Sequence, residues 1–227
     1  MANMILVAGT YHGGWYWNPI ISDLEAAGHS VYAPTLSGLN PDVTVAGPIN
    51  LDNHINDILS IVDDNNLSEV ILVGWSYGGM VITGVADRTS AKVQKLVYLD
   101  GQLPKPGQRE WDLMPDRDDW VKLCLDGINF YPDAWMLGHE PRTQPHPVGT
   151  KLQPLDYDQA KFDAFEKVFI YAEKWVHIPD VKSPLERSFT LAKTMPGWQT
   201  QSWPYGHDLI REARADVLQL LITVAKA

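Results

Sequence analysis

The sequence predicts an α/β protein with a six-stranded, mainly parallel sheet, helices on both faces and an inserted cap. Three observations carry this expectation. Short apolar, β-favouring runs alternate with amphipathic helical segments along most of the chain. The alternation breaks once, between about residues 103 and 160, and then resumes. The third strand-like run ends in VGWSYGG, Val73 to Gly79, with a glycine two residues either side of Ser76. A turn that only redirects the chain has no need of that spacing.

Taken in order, Met4–Ala8 (MILVA) is short, apolar and stopped by Gly9, as in a strand buried on both faces. Trp15–Gly28 has helical spacing, with Ile20, Ile21, Leu24 and Ala27 on one side and Gly28 at the C-cap position. Ser30–Ala33 is a second strand, ended by Pro34. Residues 37–48 are rich in Gly, Pro and Asn and form a loop. Leu51–Asp64 is an amphipathic helix through Ile55, Ile58, Leu59 and Val62. Glu69–Gly74 is the third strand, Tyr77–Ala86 a small-residue helix and Lys95–Asp100 the fourth strand. After the break, Lys167–Ala172 is a strand, Ser183–Thr194 a helix, Trp198–Trp203 a strand and Asp208–Lys226 a closing helix. Residues 1–102 and 161–227 therefore form the core, and residues 103–160 the cap. In such sheets ligands bind beyond the carboxyl ends of the strands. Gly9–Gly14, Gly74–Gly79, Asp100–Gly101 and the loop after Ala172 all fall at that edge.

The bulk numbers exclude several function classes. With 45% apolar and 20% charged residues, 227 residues suit one globular domain. A net charge of −10 argues against a nucleic-acid partner. The single cysteine, Cys124, rules out an internal disulfide and is expected as a small buried apolar residue. The first residues, MANMILVAGTYHGG, lack Lys and Arg and offer only a short apolar run. Neither a signal peptide nor a membrane span is expected, and a cytoplasmic protein is the default. The histidines lack metal-ligand spacing, and His139 and His146, near Glu140, lie in a Pro-rich loop. No metal and no cofactor are expected. The expected partner is a small-molecule substrate, with no nucleic acid or membrane and a homodimer left open.

G-x-S-x-G between a strand and a helix is a nucleophile elbow. Its turn is so tight that the residues two before and two after the serine must be small, and the helix N-terminus aims N–H groups at the reacting oxygen. Ser76 then needs a base, placed late in the chain after a strand. His207, in WPYGHDLI between the last strand and the last helix, meets that requirement.

The stretches VAGTYHGGWYW, AAGHSVYAPTLSGLNP, VILVGWSYGGM, KLVYLDGQLPKPGQ and PGWQTQSWPYGHD together resemble the α/β-hydrolase superfamily. Within it the chain is similar to the branch of plant methylesterases, hydroxynitrile lyases and small bacterial esterases. The resemblance implies an oxyanion hole built from the backbone N–H groups of Thr10 and Tyr77. Family members usually carry His-Gly where this chain has Ala8-Gly9; that histidine supports the loop, so activity should survive the change. The lyases of the branch need a threonine and a lysine at positions held here by Gly9 and Asp208, which favours an esterase.

The acid partner of His207 has more than one candidate. Asp100 ends the apolar KLVYLD run, where an ionised side chain needs a reason or a partner, and some α/β-hydrolases place their acid there. Asp180 and Glu173 lie in the loop after Lys167–Ala172, the family's usual site. Asp100 is preferred, then Asp180, then Glu173. Tyr11, Trp111, Trp120 and Trp135, with Trp15 and Met114, are candidates to line an apolar pocket. The absence of a basic cluster near the elbow argues against anionic substrates. The expected function is a serine hydrolase of the carboxylesterase type, cleaving a small, neutral, hydrophobic carboxylic ester or lactone through an acyl-enzyme. Alternatives are a hydroxynitrile lyase-like or other carbon–carbon lyase, and a non-catalytic member that binds a small ligand.

Overall fold

Strands β1 (Asn3–Val7), β2 (Ser30–Tyr32), β3 (Glu69–Trp75) and β4 (Lys92–Leu99) precede the break in the pattern. The inserted stretch adds a two-residue pair, β5 (Asn129–Phe130) and β6 (His146–Pro147), before β7 (Lys167–Ala172) and β8 (Trp198–Trp203). This computed structural model describes residues 1–114, 117–174 and 185–226. Its main sheet has the order β2-β1-β3-β4-β7-β8, and every neighbouring pair is parallel. The order reverses direction at β1–β3, so the loops after β1 and β3 leave the sheet side by side at its carboxyl edge.

Alternation within each strand feeds two cores. Ile5, Val7, Leu72, Leu96, Tyr98 and Phe169 face helices α2 (Leu51–Asp64), α3 (Gly78–Arg88) and α9 (Glu186–Ala192). Met4, Leu6, Ile71, Val73, Val97 and Ile170 face α1 (Asn18–Ala26) and α11 (Arg214–Val224) on the other side. Burial on both faces explains why these strands read as unbroken apolar runs. Helix α2 is fixed at its start by a reciprocal cap, in which Asn50 and Asn53 each accept the other's backbone N–H.

Two helices depart from the periodicity. Residues Gly14–Trp17 form a 3₁₀ turn before α1, not the first turn of an α-helix. Pro19 has no N–H to reach the Trp15 carbonyl, and the Asn18 N–H bonds it instead. The closing segment divides into α10 (Leu209–Glu212) and α11 at Ala213, whose φ of −130° is not helical. The buried spacing Leu209, Ala213, Val217, Leu221 runs straight through this break, so the pattern does not reveal it.

The inserted stretch holds short helices: α4 (Glu110–Leu113), α5 (Arg117–Leu123), α6 (Ala134–His139), α7 (Gly149–Leu152) and α8 (Gln159–Asp163). Helices of one or two turns are too short to show a 3.6-residue period. Polar contacts tie this stretch to the core. Gln153 accepts from the Asp52 N–H at 3.0 Å and donates to the Asp52 carboxylate at 2.6 Å. Cys124, after α5, is half-buried and not a core residue, because this small stretch has little interior to offer. Among the described residues, no helix is long and apolar enough to cross a membrane.

At the end of β3 the chain turns at once into α3. A Cβ on Gly74 would stand 2.6 Å from the Gly78 backbone, closer than any real contact. The Gly74→Ala variant is therefore expected to lose about 1–3 kcal/mol of stability, because backbone cannot yield as a flexible side chain can. Urea denaturation of the two proteins checks this, with an unchanged midpoint as the contrary result.

Candidate active site

The turn between β3 and α3 holds Ser76 at φ 54°, in the left-handed region that a side chain normally avoids. Three backbone bonds keep it there. The Ser76 N–H donates to the Leu99 carbonyl at 3.3 Å, while its own carbonyl accepts from Gln102 at 2.8 Å and Gly79 at 3.1 Å. Ser76 is left partly exposed among buried neighbours. Backbone strain of this kind, enforced by its surroundings, is a mark of functional positions.

His207 is delivered to the elbow from the loop between β8 and α10. The indole N–H of Trp75 donates to the His207 carbonyl at 2.7 Å, and the two rings lie 5.0 Å apart. Trp75 is itself clamped, with Tyr16 stacked at 4.0 Å on one face and His12 edge-on at 4.9 Å. The His207 Nδ1 lies 2.6 Å from Asp100 Oδ2. A carboxylate only accepts, so Nδ1 carries the hydrogen and Nε2 is the acceptor nitrogen of the ring. Asp100 is fully buried, has φ 43°, and its other oxygen accepts the Ala172 N–H at 3.2 Å. A buried carboxylate with both oxygens engaged is the arrangement the end of an apolar strand requires.

Of the other acid candidates, Glu173 is exposed and accepts the Ser202 hydroxyl at 2.6 Å. Asp180 lies outside the described residues. Thr10 and Tyr77, the expected oxyanion donors, follow β1 and β3 at the carboxyl edge of the sheet. Among the described residues, the backbone N–H groups of Thr10 and Tyr77 donate to no protein acceptor. The loop after β1 packs directly on Ser76, since a Cβ on Gly9 would lie 2.8 Å from Ser76 Cβ.

The predicted aromatic residues divide. Tyr11 stacks on Trp120 at 6.1 Å, Trp120 meets Phe130 edge-on at 5.5 Å, and Trp111 stacks on Phe130 at 6.1 Å. Trp135 stands apart from that cluster on α6, 38% exposed and stacked on His139. Trp15 faces the Arg142 guanidinium, 4.1 Å from its ring centre.

Four charged or titratable residues packed near the loop after β1 carry no signal in the sequence. Lys151, on α7, is fully buried and sits 2.8 Å from the Glu110 carboxylate and 2.7 Å from the Thr10 hydroxyl. A cation therefore stands beside the elbow, and it is paired. Burial pushes the Lys151 ammonium down and the Glu110 carboxyl up, each opposed by the other's charge. His146 Nδ1 accepts the Tyr11 N–H at 3.4 Å, and Nε2 meets the Thr150 hydroxyl at 2.9 Å. His54 Nε2–H donates to the Ser37 carbonyl at 2.8 Å, and Nδ1 accepts from the Tyr77 hydroxyl at 2.9 Å. Apart from Thr150, four residues from His146, their partners lie far off in the chain, so local spacing does not mark them.

The fold and this constellation define a class, and comparison with known proteins agrees. The model of the alpha/beta hydrolase family matches residues 4–223, and the chain belongs to that family. It is similar to the carbendazim hydrolyzing esterase of Nocardioides sp. (strain SG-4G), at 33% identity over 233 residues, 92% of this chain and 94% of that one. Methylesterase 1 of Arabidopsis thaliana is 26% identical over 168 residues, 72% of this chain and 55% of that one. The solved structure of an extracellular α/β-hydrolase from a Paenibacillus species superposes with a TM-score of 0.79 over 99% of both chains, at 19% identity.

The buried histidine beneath Tyr77 generates a pH prediction. Burial pushes the His54 imidazole from 6.5 down to about 4, outweighing the Ser37 carbonyl and the Asp57 charge, which act the other way. Its folded-state value lies below its unfolded one, so the stability it contributes is present above pH 6.5 and is lost as pH falls towards 4. That loss is on the order of 3 kcal/mol. The His54→Gln variant should lose correspondingly less stability than the native chain between pH 6.5 and 4, measured by urea denaturation across that window. Parallel pH curves for the two proteins would contradict the assignment.

Proposed function

We propose that the chain hydrolyses carboxylic esters with Ser76 as nucleophile, His207 as general base and acid, and Asp100 as its carboxylate partner. The chain is a carboxylesterase-like member of its family, similar to relatives that are themselves named esterases. The observation that carries the residue assignment is the 2.6 Å contact between His207 Nδ1 and the buried Asp100 carboxylate, beside a strained serine.

In this reading Ser76 Oγ attacks the ester carbonyl carbon and its proton passes to His207 Nε2. The carbonyl oxygen becomes an oxyanion, and the N–H groups of Thr10 and Tyr77 are its donors. Two aligned donors are worth several kcal/mol of barrier, on the order of 3 kcal/mol each. The carbon–oxygen bond to the alcohol breaks, and His207 returns the proton to the departing alkoxide. Water then attacks the acyl-enzyme, gives a proton to His207 and releases the carboxylic acid. The proton returns to Ser76. Asp100 holds the required tautomer and stabilises the imidazolium of each half-reaction.

The substrate class we infer is a small, neutral, hydrophobic ester or lactone. The Tyr11–Trp120 face supplies apolar surface, and Glu110 balances the charge of Lys151, leaving it no excess attraction for an anion. A single half-buried cysteine agrees with a cytoplasmic setting. The lyase reading is weaker. A threonine at Gly9 would collide with Ser76, and Asp208, next to His207, accepts the Arg211 N–H at 3.2 Å as the cap of α10.

Intact mass after treatment with a fluorophosphonate tests the proposal. One label per chain is expected, lost in Ser76→Ala. With an aryl acetate as substrate, Asp100→Asn should lower kcat by about 10³–10⁴-fold. Glu173→Gln should stay within about twofold of the native rate. A loss in Asp180→Asn equal to that expected for Asp100→Asn would move the acid role to Asp180. A folded chain that takes no label would overturn the hydrolase and leave ligand binding without turnover.

A further inference from the structure

The pair Lys151–Glu110 is a buried ion pair beside the site that the proposed triad does not use. Both side chains are at most 4% exposed. Desolvating an ammonium and a carboxylate is expensive, and apolar residues of the same volume are often at least as stabilising. Stability therefore gives no reason to keep two charges here, and their placement does. Lys151 reaches back 141 positions to Thr10, the residue whose N–H is assigned to the oxyanion hole. Its ammonium also lies 4.6 Å from the ring centre of Tyr77, the other assigned donor.

The direction of the Lys151–Thr10 bond is fixed by chemistry. An ammonium has three hydrogens and no lone pair, so at 2.7 Å the Thr10 oxygen must accept. The threonine's own hydrogen is then left for another acceptor, and among the described residues no second hydrogen bond is made by that hydroxyl. Accepting from a cation polarises an O–H bond and strengthens it as a donor. Thr10 is also partly exposed, between buried Gly9 and buried Tyr11. The same inserted segment pins the next residue on both sides: the Gln144 N–H donates to the Tyr11 carbonyl at 2.9 Å, and His146 accepts the Tyr11 N–H.

We propose that the Thr10 hydroxyl is a third donor to the developing oxyanion, and that Lys151, held by Glu110, is the positioning residue that orients and polarises it. The inference rests on the ester-hydrolase reading above. It makes the inserted segment part of the catalytic apparatus as well as a cover. Glu110 has a defined part in it, since without that carboxylate the ammonium would be free to turn from Thr10.

The test is a set of steady-state measurements on an aryl acetate, with fluorophosphonate labelling of each protein. Thr10→Val should lower kcat about 10²-fold with KM within about twofold, because the interaction exists only as charge develops. Thr10→Ser, which keeps the hydroxyl, should recover most of that rate. The double variant Lys151→Met/Glu110→Gln, which removes the pair without stranding one charge, should lower kcat by a similar factor. Combining it with Thr10→Val should cost little more, since both act through one hydrogen bond. Native-like kcat in Thr10→Val, or losses that multiply when the variants are combined, would overturn the proposal. So would a paired variant that loses melting temperature but keeps kcat. Should Thr10→Val not fold, the paired variant set against Thr10→Ser decides the question. A native chain that neither labels nor turns over would instead fail the hydrolase reading itself.

Discussion

Ser76 at φ 54° is the constraint around which the rest of the site is arranged. A left-handed backbone costs an ordinary residue about 1–2 kcal/mol, and it survives only where its surroundings hold it. Here the hold is the sheet itself. The N–H of Ser76 bonds the last residue of β4, and its carbonyl bonds Gln102 just beyond. The elbow is thus pinned to the neighbouring strand. That strand continues into Asp100, which takes a φ of 43° to turn its carboxylate towards His207. The settings of Ser76 and Asp100 are two consequences of one local geometry at the carboxyl ends of β3 and β4.

The aromatic layer beneath has a comparable role for His207. Tyr16, Trp75 and His12 pack ring against ring, and the Trp75 indole fixes the backbone of His207. Burial lowers the affinity of His12 for a proton, against the Thr10 carbonyl and the Asp208 and Glu140 charges, which act the other way. The segment after β1 is braced from the other side by the insertion, through Lys151, His146 and Gln144. The site is therefore clamped between the sheet edge and a cover of short helices. Short helices with polar tethers adapt more readily than sheet strands, and this suits a scaffold whose substrate changes while its chemistry does not.

Much of this was legible in the sequence, for a definable reason. The six strands, the placement of Ser76 after β3 and of His207 after β8, and the interruption after β4 all arise from local chain properties. A buried parallel strand must be an apolar run, and an elbow must have glycines at its sides, because Gly74 and Gly78 touch. Periodicity failed where the chain is locally ambiguous. Pro19 shifted the start of α1, Ala213 broke the last helix within an unbroken apolar spacing, and the one- or two-turn helices of the insertion left no pattern.

What the sequence determined by itself, then, was the class of fold and the places of Ser76 and His207 after β3 and β8, each set by neighbours within a few residues. What only the tertiary structure decided was the joining of His207 to Asp100, 107 positions away, and the seating of Lys151 against Thr10 and Glu110. The same structure set Trp120 against Tyr11 and Trp111 against Phe130, and left Trp135 on α6, 38% exposed. The physical reason is that a carboxylate, an ammonium or an indole looks the same in sequence wherever it ends up. Its role depends on desolvation and on a partner brought near by packing, and neither is written in the residues beside it.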